Sequence, residues 1–145
     1  MAADGIYKIR VINAVDEYCF IGTKGELPLK ATAYYAGKFR LAFEFSNTLV
    51  FSIYSTLNKN YIQPNEPKNG IVVEKNNKKK SYKLIPFQIE GKSNCFKIRL
   101  VEEARFFTFT TDDKGLLTLS DDEGQAAIFK FAQAWMLFDN IRLSI

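Results

Sequence analysis

The chain has 145 residues, is 47% hydrophobic with 13 Phe and 7 Tyr, and carries 20 basic against 16 acidic side chains. That length suits one domain with a sizeable core, residues 1–145, and is short for two. The absence of histidine excludes Ser-His and Cys-His nucleophile pairs and the cysteine–histidine zinc spacings; no apolar run reaches the roughly 18–20 residues of a membrane-spanning helix.

Ile6 to Ile12 alternates apolar and polar, the period of a half-buried strand. Asn13 to Glu17 turns the chain, and Tyr18 to Ile21 is a second strand closed by Gly22-Thr23-Lys24-Gly25, where the glycines are expected to supply positive φ. Leu27-Pro28-Leu29 predicts a third strand whose proline argues for a cap or edge position. Lys38 to Phe45 is the cleanest strand, with Phe39, Leu41, Phe43 and Phe45 on one face. The scheme returns from Leu49 to Ile89, where Pro64, Pro67 and Gly70 mark a longer loop, and again from Phe96 through Phe107-Thr108-Phe109 and Leu117-Thr118-Leu119. Asp122 to Leu137 has the alanines of a helix, but Ile128, Phe129 and Phe131 suit a strand better. Either Ile128–Phe131 or Asn140–Ile145 is expected to be the closing strand of the third copy.

The same motif opens each copy: Tyr7-Lys8-Ile9, Phe51-Ser52-Ile53 and Phe96-Lys97-Ile98 lie 44 and 45 residues apart. The later pairs Leu27/Leu29, Ile71/Val73 and Leu117/Leu119 each follow a glycine, at 25, 70 and 115. Self-similarity at such a period names the architecture. It predicts three pseudo-repeats of four strands, about 5–47, 48–91 and 92–145, because one copy cannot bury its own apolar face whereas three about an axis enclose a common core. Cys19 and Cys95 fall in strands of different repeats and are expected to be free buried thiols rather than a disulfide framework.

This layout resembles the β-trefoil superfamily. The residues that carry the likeness in the first copy are Gly5, Tyr7, Ile9, Tyr18, Phe20, Gly25, Leu27, Leu29, Phe43 and Phe45. The resemblance implies an all-β fold of six hairpins, three closing a barrel and three capping it.

Chemistry-bearing clusters are few. Asp112/Asp113 and Asp121/Asp122/Glu123 cluster carboxylates in the third copy, and flanking a glycine-containing turn they read as solvated loop charge. With no histidine for a nucleophile pair, carboxylates that read as loop charge and no EF-hand spacing, neither an enzyme, a cofactor nor a metal is expected. The dense basic run Lys75-Asn76-Asn77-Lys78-Lys79-Lys80 reads as a solvated hairpin tip or as a patch for an anionic glycan or phosphate. It lacks the interleaved aromatics of a nucleic-acid surface, and no nucleic-acid partner is expected.

Three resemblances within the superfamily suggest partners. Gly5-Ile6-Tyr7-Lys8-Ile9 and the Gly22–Lys30 loop look like the small signal-less fungal trefoil inhibitors of serine and cysteine proteases, which makes Thr23, Lys24, Gly25 and Glu26 the candidate inhibitory loop, with Lys24 suited to a trypsin-like pocket. Trefoil lectins are the next likeness. The ricin-type Gln-x-Trp signature is absent, Lys38-Phe39-Arg40, Tyr82-Lys83-Leu84 and Gln125-Ala126-Ala127-Ile128 standing in its place. Tyr34, Tyr35, Lys78, Lys79 and Lys80 are then the candidate glycan- or anion-binding residues. Gly124-Gln125-Ala126-Ala127-Ile128-Phe129 looks like a motif near the end of the signal-less fibroblast growth factors, whose heparin-binding lysines are replaced here by acids. The expectation is a non-enzymatic recognition protein, a protease inhibitor first, a carbohydrate-binding lectin second and a growth-factor- or cytokine-like ligand third, with an anionic polysaccharide as a further partner. Met1 to Arg10 has neither a basic nor a long apolar leader segment, so synthesis in the cytosol is expected, any outside role requiring non-classical release.

Overall fold

A computed structural model describes residues 6–12, 20–23, 28–32, 36–46, 49–65, 70–110 and 114–133. Among them lie β1 (Ile6–Val11), β2 (Phe20–Gly22), β3 (Lys30–Thr32), β4 (Phe39–Phe43), β5 (Phe51–Ser55), β6 (Asn60–Pro64), β7 (Val72–Lys75), β8 (Leu84–Gln88), β9 (Cys95–Leu100), β10 (Phe106–Phe109), β11 (Leu117–Ser120) and β12 (Phe129–Gln133). Single 3₁₀ turns at Lys78–Lys80 and Glu123–Gln125 precede β8 and β12. No helix among the described residues is long and apolar enough to cross a membrane.

Six strands pair in an antiparallel ring, β12 with β1, β1 with β4, β4 with β5, β5 with β8, β8 with β9, and β9 back to β12. Closure leaves this wall without an exposed edge. The other six form the hairpins β2–β3, β6–β7 and β10–β11, which continue from β1, β5 and β9. Four strands per repeat, six in a barrel and six in three caps make the fold a β-trefoil.

The core follows from alternation. Tyr7, Ile9 and Val11 of β1 are buried while Ile6, Lys8 and Arg10 are not, and Phe51, Ile53, Phe96 and Ile98 fill the matching places of β5 and β9. The three caps meet through Leu29, Val72 and Leu117, each fully buried. The Leu29 N–H donates to the Val72 carbonyl at 3.0 Å and the Leu117 N–H to the Leu29 carbonyl at 2.9 Å. The Thr118 hydroxyl donates to the Gly70 carbonyl at 2.7 Å, tying the third cap to the second.

Several strand boundaries differ from expectation. The third strand is Lys30–Thr32, not Leu27–Leu29: Pro28 makes an isolated bridge to Val73, and Leu29 directs its N–H to the second repeat instead of to β2. Gly22 is the last residue of β2, paired with Lys30, and not a turn residue. Positive φ occurs at Gly70 and Gly115, whereas Gly25 lies outside the described residues. Phe45 does not share the buried face of Phe39 and Leu41; it lies past the end of β4 and is fully exposed, at 103%. The closing strand is Phe129–Gln133, with Phe131 opposite Ile9 and Phe129 opposite Phe96, while Asn140–Ile145 lies outside the described residues. Gly5, Tyr18, Cys19 and Leu27 likewise fall outside them.

Cys95 is a free thiol and only 5% exposed. In a Cys19→Ser variant, a thiol reagent such as Ellman's is therefore expected to react with Cys95 only on unfolding; stoichiometric reaction in native buffer within minutes contradicts the burial.

Candidate functional site

The first candidate loop leaves the fold at Thr23 and returns at Pro28. Thr23 follows β2 and is itself buried, and its carbonyl accepts a hydrogen bond from Asn58 Nδ2 at 3.2 Å. Asn58 sits in the turn between β5 and β6, where its backbone N–H donates to Ser55 Oγ at 3.3 Å. That turn also holds Lys59 in the left-handed region, at φ 56°. The return stem is fixed by the Pro28–Val73 bridge and the Leu29–Val72 hydrogen bond. Both stems of the four-residue segment 24–27 are thus anchored on the second repeat. Lys24, Gly25 and Glu26 themselves lie outside the described residues, as do Tyr34 and Tyr35.

The same Asn58 nitrogen donates to Glu74 Oε1 at 2.8 Å. Glu74 is 0% exposed and its Oε2 has no hydrogen-bond partner. Burial pushes its carboxyl up to about 7 from 4.5, against the opposing pull of hydrogen bonds from Asn58 and Ser55.

Pseudo-symmetry shows how unusual this residue is. Gly37, Tyr82 and Ala127 donate their N–H groups to the carbonyls of Ile21, Ile62 and Phe107 at 3.1, 3.0 and 2.9 Å, which makes those three acceptors equivalent. Their cross-strand partners are Ala31, Glu74 and Leu119. Two of the three are apolar and pack against the core; the second repeat has a carboxylate. Ser55 departs in the same way, being buried where β1 and β9 end in Val11 and Leu100.

The second candidate is a surface groove of about 490 Å³ between the Lys78–Lys80 turn and the segment after β9. Lys79, Lys80, Tyr82, Lys83, Glu102 and Glu103 contribute to its lining, and Lys78 does not. Lys83 is paired with Glu44 at 2.6 Å, and Glu103 lies 3.7 Å from Arg105. The Tyr82 ring stands edge-on to Phe107, with centroids 5.7 Å apart, which fixes its orientation at the groove wall. The groove therefore offers ammonium donors, carboxylate acceptors and an aromatic edge within one depression of small-ligand size. Sequence reading found two of its lysines but missed Tyr82, Glu102 and Glu103, because only the fold brings residues from the second and third repeats together.

The acidic cluster has structural employment instead. Asp122 Oδ1 accepts from the Gly124 N–H at 2.9 Å, capping the second 3₁₀ turn, and Asp121 lies 3.2 Å from Arg105. Asp112 and Asp113 are outside the described residues.

No protein-family model matches the chain, and no curated protein matches it in sequence. Solved structures do match over nearly its whole length. A ricin B-like lectin from Macrolepiota procera, solved in complex with lactose, superposes with a TM-score of 0.69 and 16% identity over 92% of this chain and 99% of its own. A proteinase inhibitor from Coprinopsis cinerea superposes with a TM-score of 0.62 and 13% identity over 92% and 100%. A structure described as the BEL β-trefoil gives 0.68 and 14% over 92% and 97%. At such identities the likeness establishes the β-trefoil fold alone.

Proposed function

We propose that the protein is a non-enzymatic protease inhibitor that presents residues 23–26 from a rigid barrel. The observation that supports this most directly is the double anchorage of that segment: Asn58 holds the Thr23 carbonyl on one side, and Val72 and Val73 hold Leu29 and Pro28 on the other. A loop whose ends are already fixed loses little conformational freedom when it enters a protease cleft, so more of the contact energy is realised as affinity. Lys24 supplies a cation for a pocket with a buried acid. Titration of trypsin-like and papain-like proteases is expected to show stoichiometric inhibition. Lys24→Ala is expected to weaken inhibition of a trypsin-like enzyme at least about 30-fold, the loss typical of an anchor residue. Unchanged inhibition removes Lys24 from the contact, and a panel with no enzyme inhibited removes the reading.

The groove favours a second reading, carbohydrate binding. Lys79, Lys80, Glu102, Glu103 and Tyr82 form a set able to hydrogen-bond hydroxyls and pack on a sugar face, with the lysines biasing it towards anionic polysaccharide. Retention on a heparin column is expected to fall when Lys78, Lys79 and Lys80 are replaced by Ser, and to weaken with salt in the parent protein. A parent that is not retained, together with a blank glycan array, dismisses it.

A further inference from the structure

A buried carboxylate at a position that is apolar in the other two repeats costs stability unless it does something that Ala31 and Leu119 do not. Its neighbours suggest what that is. The amide nitrogen of Asn58 has two hydrogens, one directed at Glu74 Oε1 and the other at the Thr23 carbonyl. Glu74 thus fixes the rotation of an amide whose remaining hydrogen belongs to the first repeat. We propose that Asn58 and Glu74 are positioning residues for the stem at Thr23, and that the protonation state of Glu74 sets how firmly that stem is held.

With its proton, the Glu74 carboxyl is a neutral acceptor for Asn58; without it, the same hydrogen bond is charge-assisted and about twice as strong. The raised value of about 7 puts this change close to neutral pH. The titratable groups on the surrounding elements are Lys30 on β3, Tyr54 on β5, Lys59 in the turn, Tyr61 on β6, Lys75 on β7 and Lys78–Lys80. Glu74 is nonetheless shifted by burial and hydrogen bonding, with no charged neighbour among the causes. The device therefore reports pH through one carboxyl.

The anchor is tested without reference to any protease, in the full chain, by following the Asn58 side-chain amide and the Thr23 carbonyl carbon by NMR between pH 5.5 and 8.5. Both resonances are expected to shift with one shared midpoint within about a unit of 7, and both are expected to stay flat in Glu74→Gln. Asn58→Ala is expected to abolish the Thr23 titration. Absence of titration in the wild type, persistence of it in Glu74→Gln, or an unaltered Thr23 profile in Asn58→Ala overturns the proposal; the wild-type titration decides even where a variant fails to fold. The consequence for inhibition rests on the reading above and is measured separately. The ratio of inhibition constants, Glu74→Gln over wild type, is expected to change about fivefold between pH 6 and 8.5, as for a hydrogen bond that gains charge assistance. If no protease is inhibited, the inhibitor reading fails while the NMR result still decides the anchor; if a protease is inhibited with a pH-independent ratio, the link from anchor to inhibition fails.

Discussion

Replacing Phe131 by alanine is expected to destabilise the protein by about 3–5 kcal/mol, the range for removing a buried aromatic ring. Phe131 is 3% exposed, and its ring meets Tyr7, Phe51 and Phe96 at centroid distances of 6.2, 6.5 and 5.7 Å, one aromatic from the first strand of each repeat. It lies on β12, which pairs with both β1 and β9 and so closes the barrel. Little else can move into the space, because the surrounding wall is a closed hydrogen-bonded ring. Phe45→Ala is the matched control: the same substitution at a fully exposed ring past the end of β4 is expected to stay within about 0.5 kcal/mol. Urea unfolding of the two variants, followed by fluorescence or circular dichroism, checks the contrast. Equal losses mean that the ring cluster does not hold the barrel together.

The second large effect is a fall in stability as pH rises. A carboxyl with a pKa of about 7 in the folded protein and near 4.5 when unfolded binds its proton more tightly in the fold. Folding is therefore favoured most below pH 4.5, where both states are protonated and the buried group is neutral. The advantage is lost progressively between 4.5 and 7, and above 7 the folded state carries the full cost of a buried charge. The span amounts to about 3 kcal/mol. Other groups titrate over the same interval, so the measurement is a comparison: the stability difference between Glu74→Gln and wild type, by urea unfolding at pH 5 and pH 8, is expected to swing by roughly 2–3 kcal/mol in favour of the glutamine variant at pH 8. A constant difference across that range contradicts the assignment.

Much of the fold was legible because it repeats. The spacing of Tyr7, Phe51 and Phe96, and the alternation in β1 and β4, are local signals that a barrel wall must carry, and they led to a three-fold all-β architecture. The third strand was misplaced because Leu27-Pro28-Leu29 alternates like a strand while Leu29 is buried for a different reason, its seat among Val72 and Leu117 where the caps meet. The site was less legible. Val72-Val73-Glu74-Lys75 reads as two apolar residues followed by solvent-facing charge, yet all but Lys75 are buried: Glu74 shares the core-facing side of the strand with Val72, and Pro28 of the first repeat bridges Val73. Nothing in the sequence around Asn58 singles it out, because its importance lies in reaching a carbonyl 35 residues away. Likewise, nothing near Lys79 and Lys80 in the chain announces Glu102 and Glu103, which face them only after two repeats have packed.

Pairing of β1 with β12 also governs how the molecule comes into being. On the ribosome, β1 meets β4 early, but its other wall neighbour, β12, exists only once Phe129–Gln133 has emerged. Nascent intermediates consequently display an unsatisfied backbone rim, inviting chaperones or aggregation, and assembly is slowed by contacts between residues distant along the chain.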